Sequence, residues 1–158
     1  VEGVSLPASR TIYVGKYTTL SPTFTPEYAT NQKVTWKSSD STVASVDESG
    51  KVTGKKEGTA TITVTTVDGG YTAECTVKVM IQTTGVTLNR TEAKLNKGDV
   101  LTLVPTVLPS NASNKEVTWK SSDTSVATVD SNGVVTAVAG GTCTITVTTK
   151  NSSKTADL

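Results

Sequence analysis

VTWKSSD stands at Val34–Asp40 and again, 83 positions on, at Val117–Asp123. The same offset brings Pro22 onto Pro105, Pro26 onto Pro109 and Val46–Asp47 onto Val129–Asp130. TITVTT recurs unchanged at Thr61–Thr66 and Thr144–Thr149. Such a period exceeds the roughly 20–50 residues of a solenoid unit and is long enough for a small domain. The chain therefore reads as one β domain written twice, over residues 1–81 and 82–158.

Within each copy, short alternating apolar stretches are separated by turn signals about every 8–12 residues, the pattern of an antiparallel sandwich. The chain holds 32 Thr and 22 Val, whose branched Cβ suits a pleated surface better than a helix. An all-β fold follows: two antiparallel sandwiches in series. In the first copy the pattern predicts strands at Val4–Leu6, Thr11–Val14, Thr18–Phe24, Lys33–Lys37, Val43–Val46, Lys51–Thr53, Gly58–Val67 and Tyr71–Val79. It points Thr18, Leu20, Phe24, Val34, Trp36, Ala60, Ile62, Val64, Cys75, Val77 and Val79 inward. The second inward set is Leu101, Leu103, Val107, Val117, Trp119, Ile145 and Val147. Pro22 and Pro105 fall inside apparent strands, where a missing N–H is tolerated only at an edge or a bulge. A helical turn would fit Ser39–Thr42 and Ser122–Ser125. The linker, about Ile81–Thr84, has no Gly/Ser or Pro run, so a semi-rigid rod is expected.

The copies differ at their ends. Val1 falls where a repeat begins, so a piece excised from a longer chain is expected, and a missing leader says nothing of compartment. Leu158 aligns with Cys75, so the second copy lacks counterparts of Thr76–Val79 and with them most of its last strand. A boundary of the piece explains this; an incomplete sandwich that accepts a partner's strand would also do so.

Composition excludes several functions. With 15 basic against 14 acidic residues, no field exists to draw in nucleic acid or an anionic membrane surface. No apolar run approaches the roughly 18 residues of a membrane span. Histidine is absent, which removes Ser-His-Asp, Cys-His and His-metal arrangements. Cys75 and Cys143 occupy unmatched positions on apolar phases of their strands, as expected of buried free thiols. Acid pairs such as Asp47–Glu48 sit at a turn, where neither carboxyl would be desolvated as acid–base catalysis requires. No catalytic residue and no cofactor is expected, and the chain is read as no enzyme.

The matched blocks resemble the bacterial immunoglobulin-like domain, group 2, across essentially the whole chain, twice. The carriers are Gly-Val-x-Leu (Gly3–Leu6; Gly85–Leu88), a Gly after the second strand (Gly15; Gly98), and Trp-x-Ser-Ser-Asp-x-x-Val-Ala-x-Val-Asp (Trp36–Asp47; Trp119–Asp130). Ser/Asn-Gly-x-Val-Thr (Ser49–Thr53; Asn132–Thr136) and Gly-Thr-x-Thr-Ile-Thr (Gly58–Thr63; Gly141–Thr146) complete the order. The resemblance implies an Ig-like sandwich of the kind found in surface adhesins, cell-wall proteins, secreted polysaccharide-acting enzymes and phage virion proteins. It implies no single activity.

Candidate ligand contacts come from what the copies do not share. Tyr13, Tyr17, Tyr28 and Tyr71 lie only in the first copy, so fold maintenance cannot require them. They are scattered surface residues or, with Tyr13, Tyr28 and Tyr71, a ligand patch in which the loop residue Tyr28 leads. Asp47-x-Ser49-Gly50 and Asp130-x-Asn132-Gly133 read as hairpin turns, with weak Ca²⁺ binding as the alternative. Trp36 and Trp119 read as core rather than sugar platforms. Lys55–Lys56 reads as solubilising charge, with a polysaccharide contact as the alternative.

The expected function is a non-catalytic pair of Ig-like modules in an extracellular or cell-surface bacterial protein, serving as spacer or stalk and in cell adhesion. Partners would be neighbouring repeats or other domains, and a host-cell surface protein or glycan. The alternatives are a carbohydrate-binding accessory module of a secreted enzyme and a phage virion decoration domain.

Overall fold

The computed structural model describes residues 1–158 and contains strands, turns and no helix. The chain forms two compact units, Val1–Ile81 and Gln82–Leu158.

In the first unit the strands are β1 (Gly3–Ser5), β2 (Ser9–Tyr13), β3 (Tyr17–Thr19), β4 (Thr23–Thr25) and β5 (Val34–Ser38). β6 (Ala44–Val46), β7 (Lys51–Gly54), β8 (Gly58–Thr66) and β9 (Thr72–Met80) follow. A four-stranded sheet runs β2-β9-β8-β5, a three-stranded sheet β3-β7-β6, and β1 pairs with β4. Each predicted strand has its counterpart within two residues at either end, with one exception. The single strand predicted over Thr18–Phe24 is two, β3 in one sheet and β4 in another. Pro22 lies at the break: it has no N–H to continue a ladder, so the chain changes sheets there. Leu20, beside the break, is fully buried.

A second departure concerns pairing. Every pair is antiparallel except β2 with β9, which runs parallel from Ser9↔Thr76 to Tyr13↔Met80. Parallel strands need a long crossover and leave no local hairpin signature. The expected helical turn is a single one: the Ala44 N–H donates to the Asp40 carbonyl (3.1 Å), and β6 begins at once.

The core follows the alternation. Ala60, Ile62 and Val64 of β8 and Cys75, Val77 and Val79 of β9 are buried, joined by Ile12, Leu20, Val43, Ala44 and Val52. Trp36 packs against this cluster from its edge. The turn Asp47–Lys51 fixes the ring: a Cβ on Gly50 (φ +83°) would lie 2.6 Å from the Leu20 carbonyl oxygen and 2.7 Å from Trp36 Cζ2. Gly133 meets Trp119 Cζ2 at 2.7 Å and the Leu103 carbonyl oxygen at 2.8 Å in the same way. The Gly at these matched positions is thus a packing requirement as well as a turn signal.

The second unit has β10 (Gly85–Leu88), β11 (Val100–Thr102), β12 (Pro105–Leu108), β13 (Val117–Ser121), β14 (Ala127–Val129), β15 (Val134–Ala137), β16 (Ile145–Thr149) and β17 (Thr155–Asp157). Its sheets are β13-β16-β17, β11-β15-β14 and β10-β12. Pro105 opens β12, which pairs only with β10, so this proline sits on an edge. No strand corresponds to β2, and β17 has 3 residues where β9 has 9. The core divides into two clusters, with Leu88 and Trp119 touching both.

The linker is shorter than expected. Thr83 belongs to the second unit's body: its N–H donates to Asn151 Oδ1 (3.0 Å), its hydroxyl to the Asn114 carbonyl (3.0 Å), and its carbonyl accepts from Ser152 Oγ (2.5 Å). Thr84 N–H donates to the Leu108 carbonyl (2.7 Å). Only Ile81 and Gln82 lie between the end of β9 and Thr83.

Candidate functional site

Tyr13 and Tyr71 lie at opposite ends of β9. Tyr13 pairs with Met80 at the far end of β9, whereas Tyr71 immediately precedes that strand. Eight residues of extended chain separate those ends by about 26 Å. Tyr28 sits near Tyr71's end, in the loop after β4, which pairs with the opening residues. It is 85% exposed, with no wall around it. The Tyr71 ring lies over Gly69 at the tip of the β8–β9 hairpin. Tyr17 is engaged by Lys51, whose Nζ stands 4.3 Å from the ring centroid. Alternation in sequence tells inside from outside but not which end of a sandwich a residue occupies, and that is why the patch divides.

The acidic residues serve their own turns. Asp47 Oδ1 accepts from Ser49 N–H (2.9 Å), Ser49 Oγ (2.6 Å) and Lys51 N–H (3.0 Å). Asp130 Oδ1 accepts from the N–H groups of Asn132 (2.8 Å) and Val134 (2.9 Å). Asp47 Oδ1 and Asp130 Oδ1 are thus occupied by the donors of their own turns. Asp40 and Asp123 each accept from the hydroxyl and N–H two residues on, Thr42 and Ser125. These donors, the hydroxyl first, hold the carboxyls of Asp40, Asp47 and Asp123 below the usual carboxylate range. A carboxylate stabilised in its ionised form is poorly placed to act as a general base near neutrality. Cys75 is fully buried, and burial pushes its thiol up, away from the nucleophilic thiolate.

The distinctive feature lies in the second unit. A groove of about 270 Å³ opens between Ala93–Leu95 on one side and Gly141–Cys143 on the other. Its floor is Val126, Ala127, Val135, Ala137 and Ile145, with Leu158 at one end. The corresponding space in the first unit is filled by the second half of β9, whose Val77 and Val79 are 0% and 1% exposed. Leu95, the counterpart of buried Ile12, is 37% exposed. Cys143, expected to be buried, lies half-open on the groove wall where the first unit has Ala60.

The bacterial Ig-like domain (group 2) family matches residues 1–77 and again 82–158. The chain belongs to this family. An Ig-like virion protein of Serratia phage KSP90 is 36% identical over 154 residues, covering 94% of this chain and 60% of the phage protein. An alpha-L-arabinofuranosidase of Bifidobacterium longum subsp. longum is 41% identical over 115 residues, covering 70% of this chain and 11% of the enzyme. The chain thus spans less than two thirds of these relatives. A crystal structure of the C-terminal 282-residue fragment of intimin, in complex with the intimin-binding domain of its receptor Tir, matches with a TM-score of 0.56 at 21% identity. That match covers 97% of this chain and 62% of the intimin fragment and is a likeness of fold.

Proposed function

We propose that this pair of bacterial Ig-like domains is a non-catalytic spacer within a longer extracellular protein, holding another domain at a set distance and contributing to adhesion. The observation that carries the reading is internal. Both units keep the fold-making residues, and neither assembles a nucleophile, a base or a desolvated acid. Two supports come from outside the chain: related segments occupy a small part of a glycosidase and a large part of a phage virion protein. Thr83 and Thr84, fastened to the second unit, leave a two-residue connection, which suits a spacer better than a flexible tether.

Reporter fluorophores fused before and after one unit, and before and after both, test the reading. Energy transfer should drop when the second unit is added; equal transfer in the two fusions would remove the spacer role. A second reading, a virion component, draws on the phage virion protein, whose match covers 94% of this chain. Particle-association assays with the chain fused to a capsid or tail protein would separate it from a bacterial surface role. Glycan binding lost in Tyr28→Ala would instead support a carbohydrate-binding accessory module.

A further inference from the structure

The turn between β14 and β15 has a chemistry that its counterpart in the first unit lacks. Both turns need glycine where the chain meets the tryptophan, at Gly50 and Gly133, but the residue before it is Ser49 in one and Asn132 in the other. Of the chain's asparagines, Asn132 alone precedes a glycine. An asparagine side chain so placed is open to attack by its neighbour's backbone nitrogen, and glycine, with no side chain, hinders that attack least. Asn132 is exposed, and its hydrogen bond to Asp130 Oδ1 (2.8 Å) is made by its backbone N–H, not by its side-chain amide. The closed turn holds the attacking group back. Gly133 is buried, its N–H donates to the Asp130 carbonyl (3.1 Å), and its carbonyl accepts from the Leu103 N–H (2.9 Å). Loss of the Gly133 proton, and the swing of its nitrogen onto Asn132 Cγ, therefore require the turn to open.

We propose that Asn132–Gly133 is a self-modification site that reacts when the β14–β15 turn opens and then keeps the turn from closing. In the open turn the Gly133 nitrogen gives its proton to solvent base and bonds to Asn132 Cγ. The bond from Cγ to the side-chain nitrogen breaks, and that nitrogen leaves as ammonia, closing a succinimide ring. Water then opens the ring at one of its two carbonyls. One opening gives aspartate; the other gives isoaspartate, in which the main chain runs through the former side chain. Water is consumed and ammonia released, and nothing is oxidised or reduced. Isoaspartate lengthens the main chain by one atom inside a closed bracket: the Asp130 N–H donates to the Val134 carbonyl (3.0 Å), and Asp130 Oδ1 accepts from the Val134 N–H (2.9 Å). The extra atom falls beside Gly133, where even a Cβ would lie 2.7 Å from Trp119 Cζ2 and 2.8 Å from the Leu103 carbonyl oxygen. A lengthened turn loses this register, and Trp119 loses the surface on which it packs. The first unit, with Ser49, has no amide at this place and is spared.

The intact chain is incubated at mildly alkaline pH, folded and in urea, and peptide mapping follows residue 132 for an acid in place of the amide and for isoaspartate. Conversion in urea should exceed conversion in the folded chain by at least about tenfold. Once urea is removed, the isoaspartate fraction should show a lowered unfolding midpoint for Trp119, read in the Trp36→Phe protein. The midpoint of Trp36, read in the Trp119→Phe protein, should not move. Asn132→Ser should neither convert nor lose its Trp119 midpoint on the same incubation. Asn132→Asp, which adds the charge without lengthening the chain, should keep that midpoint near the untreated value. Equal conversion in folded and unfolded chain, or an isoaspartate fraction whose Trp119 midpoint is unchanged, would each overturn the proposal. So would an Asn132→Asp protein as weak as the isoaspartate fraction, since charge alone would then explain the loss.

Discussion

At Gly50 and Gly133 a single hydrogen atom decides whether the tryptophan can lie against the turn. Alanine there meets two costs: a positive φ, worth roughly 1–2 kcal/mol for an L side chain, and a Cβ driven into a carbonyl oxygen and an indole ring, roughly 1–3 kcal/mol. Gly50→Ala and Gly133→Ala should each lower stability by about 2–5 kcal/mol. Gly15→Ala (φ +82°), with nothing within 4 Å of the added carbon, should cost only the first part. Urea titrations of the three variants check the ranking, and equal losses would remove the tryptophan contact as the cause. The carboxylates give a second test at this scale. Asp40, Asp47 and Asp123 are held low in the folded state by their turn donors. A lowered folded pKa means the stabilisation is present above the unfolded value, near 4, and is lost as pH falls through the folded values. Denaturant midpoints should therefore be level from pH 7 to about 5 and decline below about 4. Replacing all three residues with Asn should flatten the decline.

The two long hairpins are the same element with different tips. In the β8–β9 turn Gly69 and Gly70 take φ +85° and +67°; before β17 the same places are Ser152 and Ser153, at φ +65° and +50°. Ser153→Gly should stabilise the second unit by about 1 kcal/mol, a rise of roughly 4–8 °C in its melting temperature. Ser152→Gly should be close to neutral, because it also removes the hydroxyl that donates to the Thr83 carbonyl. Equal effects at both positions, read by calorimetry, would count against that division. Core truncation tests the element directly: Ile62→Ala in β8 should cost about 2–5 kcal/mol. Strand positions and inward faces were legible because each alternating stretch carries its own period. The sheet change at Pro22 was half legible: proline announced an interruption but not the sheet to which β4 would go. The parallel pairing of β2 with β9 had no local trace, since it joins residues near opposite ends of the unit. The separation of Tyr13 from Tyr71 was hidden for the same reason, because it is set by strand direction and not by sequence.

For the whole molecule, the units share a sequence plan but not a stability. The second carries two serines at positive φ where the first has glycines, and its core is divided. Heating should give two transitions, the second unit melting first; single-tryptophan variants, Trp36→Phe and Trp119→Phe, assign them. One coincident transition would contradict it. The parallel β2–β9 pair carries a consequence of a different kind, for a chain put under tension. A pull on Val1 and Ile81 drags two like-directed strands past each other along their length. All the hydrogen bonds between Ser9–Tyr13 and Thr76–Met80 then resist together in shear, where a peeling edge would yield one bond at a time. The first unit should therefore resist a pull between Val1 and Ile81 to a higher force than a pull that peels β9 from one end, a difference that single-molecule force measurements would read.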